Sequence, residues 1–202
     1  MKKGLFFIFG CLLAMAVIPF SSCKTHDEDE DLYANWQTRN ENYIDSIAAV
    51  AKANNGTEPG TWKIVHTYKF PGTLNMDGKI EDYVYCKILE KGNGAIPLFT
   101  DTVSIAYIGK QIHLSDGTVR TFDATYSGQL NKETVATSSS LASGFVTGFS
   151  SALLNMAEGD HWMVYIPYQL GYGKSDYKGI KGYSTLIFDL YLANVRPLKG
   201  KK

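Results

Sequence analysis

The chain of 202 residues is poor in cysteine and has no excess of charge of either sign. Its only cysteines are Cys11, Cys23 and Cys86, which excludes a small domain held together by several disulfides. Basic and acidic side chains number 20 each, and the lysines and arginines are scattered along the chain. Nucleic-acid binding requires a clustered basic surface, so we predict no nucleic-acid partner.

Long apolar runs are absent outside the N-terminus. The one such run covers residues 4–20, follows two lysines, and ends before two serines and Cys23. This order is typical of a secretory signal cleaved before a lipid-modified cysteine. We predict a lipoprotein signal peptide over residues 1–22 and lipidation of Cys23. The alternative is an uncleaved membrane anchor, because the run approaches the minimum of about 17 residues for a spanning helix.

An unbroken acidic run follows the predicted lipidation site, from Asp27 to Asp31. Five like charges repel one another, so residues 23–31 are predicted to form a solvated tether. The run is also similar to the surface-export signal of lipoproteins in Bacteroidetes-type bacteria. We therefore predict an outer-membrane lipoprotein and leave open whether it faces the periplasm or the cell surface. If Cys11 leaves with the signal and Cys23 is acylated, Cys86 has no disulfide partner within the chain.

A helical pattern and a strand pattern make up residues 32–80, which we interpret as an N-terminal helix and extension. The helix is predicted over residues 32–54, with one apolar face formed by Leu32, Trp36, Tyr43, Ile44, Ile47 and Ala51. It either covers one side of the domain, which we favour, or mediates dimerisation. Alternation predicts the first strand over residues 62–70.

The rest of the chain contains four more strand patterns and one short helix. Alternating apolar residues predict strands over residues 83–89, 102–108, 161–166 and 185–195. Phe149, Leu153 and Met156 lie at helical spacing before Gly159, whose lack of a side chain suits a left-handed helix end. Residues 115–118 contain an Asp-Gly turn signal. Residues 167–184 form an irregular loop of the length that is usually functional or disordered.

Three motifs follow one another in the C-terminal part of the chain and together indicate a family. They are V-x-G-F-x-x-A-L-x-x-M-x-x-G-D from Val146, Y-I-P-Y-x-L-x-Y-G from Tyr165, and S-T-L-x-F-D-x-x-L from Ser184. In order and spacing they resemble the FKBP-type peptidyl-prolyl isomerases, as do residues 103–109 and the pair Phe122-Asp123. The resemblance covers residues 83–195. It implies an α+β fold, in which a twisted antiparallel sheet of about five strands wraps over one short helix. We assign residues 81–197 to this FKBP-like domain and residues 198–202 to a basic tail.

The resemblance also implies a site for the proline ring and its flanking peptide. The expected substrate-binding residues are Tyr107, Phe122, Val146, Phe149, Ile180 and Phe188. Asp123 is expected to be a buried carboxylate that orders the pocket, and Tyr172 to offer its hydroxyl to a substrate carbonyl. Rotation about an imide breaks no bond, so the reaction needs no nucleophile, metal or cofactor. The expected partners are proline-containing segments of extracytoplasmic proteins and, through lipidated Cys23, the membrane.

Two departures from the family pattern leave the function open. Residues 131–143 contain no aromatic residue to form one wall of the pocket, and the only substitute that we identify is Tyr126, if it turns inward. Residues 178–182 lack the prolines common in that loop. We favour an isomerase or folding helper. The rival is a non-catalytic FKBP-like binding module. A third hypothesis, a surface lipoprotein that binds glycans or peptides, rests on the 13 tyrosines and the acidic tether.

Overall fold

The computed structural model describes residues 32–69 and 78–198. The predicted signal peptide, the lipidation site at Cys23, the acidic tether, Phe70 and the tail beyond Leu198 lie outside the described residues. Within those two ranges, no helix is both long and apolar enough to cross a membrane.

One antiparallel sheet of seven strands organises the described chain. The strands are β1 (Trp62–His66), β2 (Tyr83–Glu90), β3 (Thr102–Lys110), β4 (Thr121–Ala124), β5 (Ser138–Leu141), β6 (His161–Ile166) and β7 (Leu186–Arg196). Their order is β1-β2-β6-β7-β3-β4, and β5 also pairs with β3. The predicted α+β fold is confirmed. The strands that escaped prediction, β4 and β5, are four residues each and carry few apolar side chains, so they show no clear alternation.

A short helix, α2 (Thr147–Leu153), packs on one face of the sheet. Its predicted apolar face is buried, with Phe149 3% exposed and both Leu153 and Met156 fully covered. Alternate residues of the central strands, such as Val164 and Leu190, complete this core. Gly159 has the predicted left-handed backbone, with φ at 96°. The sheet and α2 therefore enclose one apolar layer, as the period-2 and period-3.6 patterns require.

The N-terminal helix, α1 (Trp36–Ala53), covers the opposite face of the sheet. Near its C-terminal end, Ile44, Ala48 and Ala51 pack against side chains of β1 and β2. At its N-terminal end, Trp36 packs against Ile112 and Leu114. On the predicted apolar face of α1, Trp36 and Ile44 are therefore buried within the same chain, and Tyr43 is partly buried.

Several predicted boundaries were wrong. The predicted helix over residues 32–54 is not continuous: Leu32 is helical, residues 33–35 form a turn in which Asn35 has a left-handed φ of 52°, and α1 begins at Trp36. β1 ends at His66, since beyond it the Tyr68 N–H donates to Ser151 Oγ of α2 rather than to a neighbouring strand. The short helix stops at Leu153, and single turns carry the chain on to Met156.

Candidate active site

An open pocket of about 280 Å³ lies where α2 begins, beside β3, β4 and β7. It is lined by Tyr107, Phe122, Asp123, Gly144, Phe145, Val146, Phe149, Tyr172, Tyr177 and Phe188. Seven of the eight expected site residues are among these. The fold thus brings together residues that are up to 81 positions apart in the sequence, counted from Tyr107 to Phe188.

Four aromatic rings form the base of the pocket. Phe149 on α2 meets Phe188 on β7 edge to face, with ring centroids 4.8 Å apart, and Phe122 on β4 meets Phe188 in the same way at 5.6 Å. Tyr107 on β3 contacts both Phe149 and Phe188 at 6.1 Å. Edge-to-face packing is the arrangement that aromatic rings favour, so each ring holds the next in place.

Gly109 makes this packing possible. A Cβ atom at this position would lie 2.6 Å from Cε2 of Phe122 and 2.8 Å from Cε1 of Phe188. Only a glycine at this position of β3 leaves room for both rings. Gly109 is therefore required for the packing of the pocket rings, although it does not line the pocket itself.

The polar side of the pocket consists of Tyr107 and Asp123. The Tyr107 hydroxyl donates a hydrogen bond of 2.7 Å to Asp123 Oδ2. Burial, and then the hydrogen bond to Asp123 and its negative charge, raise the pKa of Tyr107. The Tyr107 hydroxyl is therefore protonated at neutral pH and acts as a hydrogen-bond donor. The expectation that Asp123 is buried was wrong, because β4 lies at the edge of the sheet and leaves the carboxylate exposed.

A stacked pair of tyrosines forms the outer wall. The rings of Tyr172 and Tyr177 are 4.5 Å apart and nearly parallel, at 15°. Both side chains remain partly exposed, at 37% and 43%. Burial, followed by the neighbouring Tyr177 and Asp123, raises the pKa of Tyr172, so its hydroxyl is protonated at neutral pH. The wall thus offers an apolar surface and a hydroxyl donor at the mouth of the pocket.

The structure does not place Ile180 in the pocket. Its side chain is 5% exposed and belongs to the core beneath the loop. Tyr177, which sequence reasoning missed, lines the pocket instead. Two backbone hydrogen bonds of 2.9 Å between Tyr177 and Ile180 close a tight turn, with Lys178 and Gly179 at positive φ. This turn directs the Ile180 side chain into the core and the Tyr177 side chain toward the pocket. No local sequence pattern indicated this arrangement.

Phe145 lines the pocket and supplies the aromatic side chain that residues 131–143 lack. Its ring lies 4.7 Å from that of Phe149, just beyond the polar segment. Tyr126 does not turn into the pocket. Its buried hydroxyl lies near the Asp189 carboxylate, on the other face of the sheet and without standard hydrogen-bond geometry.

Comparisons with known proteins agree with this geometry. Residues 95–193 match the family described as FKBP-type peptidyl-prolyl cis-trans isomerase. The chain is 34% identical over 111 residues to the FKBP-type peptidyl-prolyl cis-trans isomerase FkpA of Escherichia coli, covering 55% of this chain and 37% of that protein. It is 35% identical over 111 residues to the outer membrane protein MIP of Legionella longbeachae, covering 54% of this chain and 43% of that protein.

The crystal structure of FkpA from Escherichia coli has a similar fold. The TM-score is 0.55 at 26% sequence identity, over 84% of this chain and 62% of that chain. The chain spans less than half the length of the two relatives compared above. Motifs, fold and pocket lead to one conclusion: residues 95–193 of the chain form a domain of the FKBP-type peptidyl-prolyl cis-trans isomerase family.

Proposed function

We propose that the chain catalyses cis-trans isomerisation of X-Pro bonds in polypeptides. The observation that carries this proposal is the aromatic pocket that has the Tyr107–Asp123 hydrogen bond on one side and the Tyr172 hydroxyl at its mouth. A proline ring is an apolar group that such a pocket removes from water. Among the described residues that line the pocket, there is no serine, cysteine or histidine side chain that a covalent mechanism would use.

The proposed mechanism is preferential binding of the twisted imide. The barrier to rotation is the partial double bond of the planar form, and twisting removes the charge separation that water favours. An apolar pocket therefore disfavours the planar ground states more than the twisted state. Tyr172, and the backbone N–H of Val146, would hold the flanking carbonyls while the bond rotates. Each 1.4 kcal/mol or so of preference for the twisted state gives a tenfold rate increase.

The rival is a non-catalytic module that binds proline segments without accelerating rotation. The exposure of Asp123 and the absence of Ile180 from the pocket favour it. The intact aromatic base and the hydroxyl at the mouth favour the enzyme. We place the enzyme first because every group that the twisted-imide mechanism requires lines the pocket.

An isomerisation assay on the full chain decides between the two. The assay follows relaxation of a cis-enriched X-Pro peptide without a coupling protease, for the wild type and for Phe122→Ala, Asp123→Ala and Tyr172→Phe. Tyr191→Phe is a matched control, because Tyr191 alternates with the pocket-facing residues of β7 and lies on the other face. We expect acceleration that falls in the three pocket variants and persists in the control. A folded chain that binds the peptide but leaves its relaxation rate unchanged would establish the binding module.

We further propose that the protein acts outside the cytoplasm, anchored by lipid at Cys23. The sequence order of residues 1–23 supports this, as does the similarity to a protein named as an outer membrane protein. Labelling with a radioactive or alkyne fatty acid tests it, in cells expressing the full chain or Cys23→Ala. Label and membrane fractionation lost in Cys23→Ala would support lipidation. Equal fractionation of both forms would instead indicate an uncleaved anchor.

A further inference from the structure

Helix α1 makes buried hydrogen bonds to the segment that follows the outer wall of the pocket. Nε1 of Trp36 donates to Ser184 Oγ at 3.1 Å, and the Thr185 N–H donates to Asn40 Oδ1 at 2.7 Å. The most exposed of these four residues, Trp36, is only 5% accessible. Loss of the Asn40 side chain would leave the buried Thr185 N–H unsatisfied, whereas Ser184 Oγ also accepts from Gln111 Nε2 at 2.8 Å. The two bonds from α1 therefore hold the segment, and the bond to Asn40 is the stronger restraint.

The segment held by α1 is in turn fastened to the pocket loop, which we define as residues 171–183. The Tyr183 N–H donates to the Gly173 carbonyl at 2.9 Å, next to Tyr172. The Gly182 N–H donates to Asp176 Oδ1, also at 2.9 Å, immediately before the second wall tyrosine. The returning arm of the loop therefore bonds to the residue next to each tyrosine of the outer wall, through the backbone at Gly173 and through the side chain at Asp176.

The two arms of the pocket loop are in direct backbone contact. A Cβ atom at Gly182 would lie 2.2 Å from the Lys174 carbonyl oxygen, so no other residue fits there without moving one arm. Tyr183 adopts a left-handed φ of 63°, and its ring packs 5.1 Å from that of Tyr168. A non-glycine residue in this conformation persists only where its surroundings hold it. A displacement of the returning arm would therefore also displace the arm that carries the wall tyrosines.

We propose that Trp36 and Asn40 are positioning residues for the pocket, acting through the pocket loop on Tyr172 and Tyr177. This inference rests on the proposed function. It assigns a role in the site to α1, which lies outside the family match of residues 95–193. Because small displacements of groups that orient a substrate cost large factors in rate, the geometry of this helix sets how well the pocket works.

The test compares Trp36→Phe and Asn40→Ala with Ala51→Gly in the full chain. Trp36→Phe keeps an aromatic ring but removes the donor to Ser184 and part of the buried ring that packs against Ile112 and Leu114. Ala51→Gly weakens the same helix near its far end, because glycine has a low helix propensity, and it leaves the loop bonds intact. The readouts are thermal stability, kcat and KM for an X-Pro peptide, and amide hydrogen exchange at Gly182 and Tyr183.

In Trp36→Phe and Asn40→Ala we expect amide protection at Gly182 and Tyr183 to fall at least tenfold, while protection in β6 is retained. We expect kcat/KM to fall about tenfold, mainly through KM, because the tyrosine wall is displaced. Ala51→Gly should lower the melting temperature without either effect.

Unchanged loop protection in both variants would overturn the inference. So would kinetic changes no larger than those of Ala51→Gly at equal stability. A wild-type chain without isomerase activity would overturn the proposed function instead, and the exchange data would still decide whether α1 positions the loop.

Discussion

At the scale of single residues, the Tyr107–Asp123 hydrogen bond forms the polar side of the pocket. We predict that Tyr107→Phe and Asp123→Asn each lower kcat/KM, and that the double variant is no worse than the poorer single one, because both changes remove the same bond. Stability should fall by only about 1 kcal/mol, since the exposed carboxylate regains water. Peptide kinetics and urea unfolding of the three variants test this. Additive losses in kcat/KM would show that the two groups act separately.

Gly109 gives a second prediction at this scale. Gly109→Ala places a methyl group against the Phe122 and Phe188 rings, so we expect a loss of about 1–3 kcal/mol in stability and weaker binding of proline peptides. Gly128→Ala is the matched control, because Gly128 has a positive φ of 75° but no atom near its Cβ position. It should lose about 1 kcal/mol through backbone strain alone and keep its peptide affinity. Chemical denaturation and peptide titration separate the two effects. Equal peptide affinity in both variants would contradict the role of Gly109.

At the scale of elements, β6 and β7 are joined on the face opposite the pocket by a hydrogen bond between a histidine and a carboxylate. His161 Nε2 lies 2.5 Å from Asp189 Oδ1, and His161 Nδ1 lies 3.5 Å from Glu90 Oε1 on β2. Lys132 contacts the same Glu90 at 2.8 Å. Burial by itself raises the pKa of Asp189, but the hydrogen bond and charge of His161 outweigh burial, with help from Tyr126 and Lys110, and the pKa lies below its ordinary value.

The pH dependence of stability follows from that direction. A carboxylate with a depressed native pKa stabilises the fold above the pKa of unfolded aspartate, about 3.9, and this contribution disappears as the pH falls through the lower native value. We predict that Asp189→Asn reduces stability at pH 7 and flattens its decline below about pH 4. Urea unfolding from pH 7 to pH 2 measures this, with Glu133→Gln as an exposed control. Parallel curves for the wild type and Asp189→Asn would contradict the prediction.

At the scale of the whole molecule, β1 belongs to the same sheet as the family-matched part of the chain, and α1 packs on that sheet. β1 pairs along its full length with β2, and α1 covers side chains of both strands. We predict a single cooperative unfolding transition, because small domains with one continuous packing arrangement unfold as a unit. The three tryptophans, Trp36, Trp62 and Trp162, lie on α1, β1 and β6 and report on each part.

Variants that each retain one tryptophan test this cooperativity. We expect the fluorescence transitions of all three to coincide with that of far-ultraviolet circular dichroism, once each curve is corrected for its own midpoint. A separate early transition for the Trp36 reporter would show that α1 is an independent appendage. In that case its effect on the pocket loop would also be lost at low urea.

The sequence alone determined the order and type of the main elements and most of the pocket. Alternation located β6 without error, and helical spacing identified Phe149, Leu153 and Met156 as buried, because these periods follow from backbone geometry. The resemblance of linked motifs then identified seven pocket residues.

Only the tertiary structure decided what depends on neighbours distant in sequence. It exposed Asp123 at a sheet edge, buried Ile180 under a tight turn and brought Tyr177 to the pocket in its place. It also joined Asn40 to Thr185, 145 positions away. Local sequence patterns indicate which side chains of a segment are buried and which are exposed to water. Which core, which edge and which partner a side chain meets is set by the packing of the whole chain.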